Sequence, residues 1–348
     1  MYSESDIDNA VAAGVLAPEA ARRLRDHTAA QRATPAVDEE SFRLLTGFND
    51  IFVSIAIALV LAAVMQIGTG IDGARWLGGV GIAATAWMLA EYFTARRRMA
   101  LPSILLLLAF VGGVAASLAG MIEAVAPDID GRSGALAAAA IALATAGAAW
   151  VHWRRFAVPI TVAAGTVAAV GVFVGLVASA MPELNDAIWP VVLFAGLAVF
   201  AFAMRWDLSD RERVTRRADV AFWLHLTAAP LIAHPTFQLL GVLDGEITIV
   251  TALVVLALYL IFAFVALAVD RRALLVSGLG YVLYAMITLF RTAGAVELSW
   301  ALTAFVIGSA LLTLSAFWQP MRGLVLRTLG DLGRRLPPVG VIGRSATA

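Results

Sequence analysis

The sequence predicts an all-α integral membrane protein, a bundle of about ten transmembrane helices with N- and C-termini cytoplasmic. Three observations carry this. Of 348 residues, 61% are hydrophobic and only 14% charged, whereas soluble domains are roughly half apolar and a quarter charged. Ten apolar runs approach the roughly 20 residues that a helix needs to cross the hydrocarbon core. The arginines concentrate in every second connection, as the positive-inside rule requires of cytoplasmic loops.

The ten runs are 48–67, 75–95, 101–125, 133–153, 157–181, 188–204, 218–243, 247–269, 273–290 and 298–318. Basic connections ("ARRRMA", "HWRRFA", "RWDLSDRERVTRRAD", "VDRRAL") alternate with acidic ones ("GTGIDGAR", "EAVAPDIDGRSG", "MPELNDA", "VLDGE", "TAGAVE"). With the N-terminus inside, only Arg75, Arg132 and Arg291 of the 25 basic residues fall outside. An even number of spans also keeps "MRGLVLRTLGDLGRR" inside. The tryptophans agree, since aromatic residues favour the two interfaces. Trp76, Trp189 and Trp300 lie at expected outer ends, and Trp150, Trp153, Trp206, Trp223 and Trp318 at or near inner ends.

Three parts follow: a cytoplasmic helical hairpin and linker (1–42), the ten-span bundle (43–318), and a cytoplasmic amphipathic helix with a disordered tail (319–348). The hairpin is expected as two short helices broken at Gly14, with Pro18 opening the second and Glu19 favouring its N-terminus. Ile7, Val11, Leu16, Ala20 and Leu24 would form its apolar seam. In the C-terminal helix, Met321, Val325, Leu329, Leu332 and Leu336 recur at helical spacing among arginines, the pattern of a helix lying on the inner leaflet. The acidic start "MYSESDIDNAVAAGVL" has no charged segment before an apolar core, so no cleaved signal peptide is expected.

The helix followed by "AGVLAPEAARRLRDH" resembles the opening of an uncharacterised bacterial membrane family, labelled domain of unknown function 2157. The motif covers about the first 45 residues and hydropathy the remainder. The resemblance implies a multi-pass protein of the bacterial inner (cytoplasmic) membrane and no particular activity.

Composition excludes several chemistries. The chain has no cysteine and no lysine, so disulfides, thiolate catalysis, cysteine-bound metals and Schiff bases are out. No cofactor, metal or nucleic-acid site is expected. His225 and His234 are nine residues apart and cannot share a metal on one straight helix. An enzyme is disfavoured, because the outer loops are too short to cradle a large head group.

Ionisable groups inside a membrane are costly and mark pathways or pairs. An inner set, Asp50, Glu91, Asp219 and His225, forms a candidate polar pathway. An outer set, Gln66, Glu123, His234, Gln238, Arg291 and Glu297, forms a candidate vestibule. The plainer reading of both sets is pairing with arginines at helix ends. In span seven, Pro230 and Pro235 predict a kink and then a break or end near His234. Gly171 and Gly175 form a small-xxx-small motif that suits close contact within the subunit or a homodimer. Arginine pairs beginning at 97, 154, 216 and 271 hint at a recurring two-span unit, although alternating basic loops alone would produce them.

Two functions follow. One is a secondary transporter or permease of a small solute or ion. Its layout resembles the drug/metabolite transporter superfamily, although spans 1–5 and 6–10 share no sequence match. The other is a non-transporting scaffold, sensor or assembly factor that docks partners through its cytoplasmic ends.

Overall fold

The computed structural model describes residues 7, 10–31, 48–71, 74–183, 188–211, 215–242 and 248–337, with only the backbone of 25–31. The linker, the tail beyond 337 and the His27 side chain lie outside the described residues. The chain divides into two units. One holds residues 1–41 and 339–348, and the other holds 42–338.

In the first unit, helix α1 (Pro18–Gln31) follows a turn at Gly14, whose φ of 70° suits glycine. The seam is shifted from the expected one. Ile7, Val11 and Leu16 are half-buried, but Ala20 and Leu24 are exposed and Ala21 is buried instead.

The second unit is a helical bundle. Helix α2 (Phe48–Thr69) is apolar all round, yet it buries one stripe, Asp50, Ser54, Ile57, Leu61 and Gly68, at helical spacing. Phe52, Ile55, Leu59 and Ile67 point away from the bundle. Helix α3 (Trp76–Ala90) passes directly into a π turn over Glu91–Arg96. Then come α4 (Ala100–Val125), α5 (Gly131–Phe156), α6 (Ile160–Ala180) and α7 (Ile188–Ser209). They are followed by α8 (Arg216–Leu239), α9 (Ile249–Val269), α10 (Ala273–Thr292) and α11 (Ser299–Ala316). Two short helices, α12 (Trp318–Thr328) and α13 (Asp331–Arg335), complete the unit.

Eight of these helices are long and apolar enough to cross a membrane: α2, α4, α5, α6, α7, α9, α10 and α11. This is a multi-pass membrane protein whose exposed apolar side chains contact lipid. Helices also occupy expected spans two and seven, but each departs from a plain span. The first switches to π geometry after 15 residues. The second carries Arg216, Arg217, Asp219 and His225 in its first three turns.

The most extensive packing lies within α3–α4, α5–α6, α7–α8 and α9–α10. Each of these pairs flanks a basic connection. Small residues permit the approach: a Cβ on Gly79 would fall 2.5 Å from the Ser117 nitrogen, and one on Gly196 2.7 Å from Leu231. The largest core cluster joins α7 to α11 and includes Val199, Ala229, Phe237, Phe262, Val282 and Ile307.

Three expectations change here. A Cβ on Gly175 would lie 3.0 Å from the Ala135 carbonyl and from Ala139, and one on Gly171 3.1 Å from Ala142. Both glycines therefore face α5 of the same chain, and the homodimer reading loses its surface. Pro230 and Pro235 do not break α8, which stays helical to Leu239. The interhelical packing of α8 against α7, α10 and α6 holds it in place. The arginine pairs also fall in unlike places. Arg98 is left-handed (φ 52°), Arg154 and Arg155 end α5, Arg216 and Arg217 begin α8, and Arg271 and Arg272 lie between α9 and α10.

Candidate functional site

Asp207 lies in the last turn of α7, on the stripe that buries Ala195, Val199 and Ala203 at every fourth residue. Its neighbour α8 is anchored by local chemistry. Thr215 caps the helix by accepting from the Arg217 N–H (3.2 Å), and Asp210 accepts from both the N–H and the hydroxyl of Thr215 (2.9 and 2.7 Å). This turn brings His225 against α7, where Nε2 lies 3.1 Å from Asp207 Oδ2. A carboxylate only accepts, so the imidazole proton sits on Nε2.

The third member comes from the α9–α10 connection. Helix α9 ends on Asp270 in the left-handed conformation (φ 59°), and the Arg271 N–H returns to the Ala266 carbonyl. Aspartate tolerates this geometry better than most residues. The reversal sends Arg271 inward, where Nη2 donates to Asp207 Oδ1 (2.6 Å) and Nε to Oδ2 (3.1 Å). This is the planar fork that favours arginine over lysine. Side-chain exposures are 0% for Asp207, 2% for His225 and 4% for Arg271. Arg271 Nη2 also reaches the Ala218 carbonyl at 3.4 Å.

Asp270 faces the other way. Its carboxylate accepts from Trp318 Nε1 (2.7 Å) and pairs with Arg322 Nε (3.5 Å), both on α12. Arg272 stacks over the same indole, 4.6 Å from its centre. Arg322 donates to the Pro337 carbonyl, and Arg211 Nη2 donates to the carbonyls of Arg334 (2.6 Å) and Leu336 (2.9 Å). Consecutive residues 270 and 271 thus tie α12 and the α7–α8 pair to one connection. Trp318, expected as an interfacial belt residue, is buried inside this clamp.

The inner set is not one pathway of neighbours. His225 belongs to the cluster just described. Glu91, at the start of the π turn, instead takes Nε (2.9 Å) and Nη2 (2.5 Å) of Arg155, with side-chain exposures of 37% and 51%. Asp50 is buried on α2, and Asp219 is exposed in the first turn of α8. In the outer set, His234 Nδ1 lies 2.5 Å from the Tyr281 hydroxyl, and its ring meets Trp189 edge-on at 5.0 Å. Gln238 is half-buried. Gln66, Glu123, Arg291 and Glu297 are exposed, and among the described residues no ion pair joins Arg291 to either glutamate. Arg132, also expected on the outer side, caps α6 by donating to the Ser179 carbonyl at 2.8 Å.

Two residues of the cluster do not stand out in the sequence. Asp207 and Arg271 look like loop charges in "RWDLSD" and "VDRRAL". The four-residue spacing from Ala195 to Asp207 is the signal that could have found the first. His152 is fully buried among Trp87, Phe110 and Phe156.

Among the described residues no three histidines, aspartates or glutamates gather to hold a metal ion. The Asp207 cluster can hold a fixed charge pair, or pass a proton between a carboxylate and an imidazole. No protein-family model, curated protein or solved structure matches the chain.

Proposed function

We propose that the chain is a non-transporting membrane scaffold or sensor, built as a ten-span bundle with both ends cytoplasmic. The observation that carries this reading is the Asp207 cluster. Its carboxylate is taken up by Arg271 and His225 at under 5% exposure, so these buried charges act as a lock between helices. The same connection fastens α12 through Asp270, giving the basic side a fixed surface for a partner. Helices at all ten expected positions support the span count. An inner-membrane location rests on the arginine pattern and the N-terminal resemblance. A tag inserted after Asp130 should then be accessible from the outer side of that membrane.

The second reading is a proton-coupled permease. One observation favours it: Asp207 and His225 form a carboxylate–imidazole pair inside the bundle, as proton relays do. Flux in liposomes separates the two. Wild type, Glu91→Gln and His225→Ala should all show leak-level flux across a solute panel and under a pH gradient. Solute-specific or pH-driven flux that is lost in His225→Ala would overturn the scaffold reading.

A further inference from the structure

Helix α6 touches α7 far less than it touches α5. Between α6 and α7 runs an apolar groove of about 520 Å³, within the size range of small-molecule sites. Its floor is small, with Gly165, Ala169 and Ala198, and Phe173, Phe194 and Phe202 wall it. The Phe173 and Phe194 rings meet across the two helices at 6.3 Å and narrow its far end. From Val162 to Phe173 the groove is about 16 Å long at the α-helical rise. That is close to one leaflet, half of a hydrocarbon core roughly 30 Å thick.

The other end, beside the basic connections, has different chemistry. A niche of about 280 Å³ shares Val162 and Gly165 with the groove and is framed by Trp150, Trp153 and Trp206, with Thr161 alongside. The Arg154 guanidinium sits 5.3 Å from the Trp150 ring centre. Arg154 is exposed and enters no ion pair among the described residues. The neighbouring Arg155 is committed to Glu91. A chain-length apolar slot that runs into a niche of indoles, one of which carries a cation over its ring, matches one amphiphile.

We propose that this groove seats one acyl chain of an anionic phospholipid, with its phosphate headgroup in the tryptophan niche at Arg154. An acyl chain gains little from exchanging bulk lipid for the groove, because lipid tails are as apolar as the walls. Selectivity therefore resides at the headgroup, where one arginine near a membrane surface contributes about 1 kcal/mol, or about fivefold in affinity.

The test is native mass spectrometry of the full chain in detergent, titrated with phosphatidylglycerol or phosphatidylcholine. Ala169→Trp fills the groove from an exposed position, and Ala198→Trp does so from the facing helix should the first misfold. Arg154→Ala removes the headgroup cation. Arg205→Ala, an exposed arginine that lies beside Met204 and Leu208 in a separate depression, is the control. Wild type should hold one phosphatidylglycerol about fivefold more tightly than phosphatidylcholine. Arg154→Ala should abolish that preference, the tryptophan variants should lose the bound lipid, and Arg205→Ala should match wild type. Equal binding of both lipids by wild type, equal losses in Arg154→Ala and Arg205→Ala, undiminished lipid on the filled variants, or a lipid-free dimer covering the groove would overturn the proposal.

Discussion

The α2–α6 half and the α7–α12 half each pair a carboxylate with an arginine near their basic connections and place the pair differently. In the first half, Glu91 and Arg155 pair where water or headgroups reach both, at 37% and 51% exposure. In the second, Asp207, His225 and Arg271 meet at 0–4% exposure. The first pair is screened, so holding two flexible side chains together offsets much of its attraction. The second cannot exchange its partners for water, so removing one leaves a buried charge uncompensated. Burial, set by helix packing, decides which pair holds the fold and which decorates it.

The sharpest way to break that contrast is to empty one side of the buried pair. Asp207→Ala or Arg271→Ala should each destabilise the protein by about 3–5 kcal/mol, read by unfolding in detergent. Gly196→Ala probes the packing that delivers Asp207 to its partners. Its new methyl would meet Leu231 at 2.7 Å, and overpacking of this kind costs about 1–3 kcal/mol. Asp270→Ala tests the outward arm of the same connection. Leaving Trp318 Nε1 and Arg322 without their carboxylate should cost about 1–3 kcal/mol, and limited proteolysis should cut within 318–337 sooner than in wild type. Glu91→Gln is the counterpart in the other half and should change stability by no more than about 1 kcal/mol. A larger loss there would mean that the π turn depends on this pair.

Much of the helix layout was legible because the bilayer imposes it. Span length is a physical requirement, and among the described residues eight helices on the expected runs are long and apolar enough to cross a membrane. The π turn was not legible, since a shift from i+4 to i+5 hydrogen bonding leaves no mark in "AEYFTARRR". The continuity of α8 through Pro235 is not legible, because it depends on the packing of α8 on α7 and α10, which local proline sterics do not contain. In the site, His225 stood out as an imidazole in an apolar run. Asp207 and Arg271 did not, because Arg205, Asp210 and Arg272 beside them are chemically alike, and only the left-handed turn at Asp270 decides which arginine faces inward. Gly171 and Gly175 show the same limit: the motif announces close approach but cannot say to which helix.

The most direct test is a pair of double-mutant cycles measured by unfolding in one detergent, Asp207/Arg271 against Glu91/Arg155. A buried lock predicts a coupling of about 2–3 kcal/mol for the first cycle, and at most about 0.5 kcal/mol for the second. Equal couplings, or a weaker one for Asp207 and Arg271, would contradict the account.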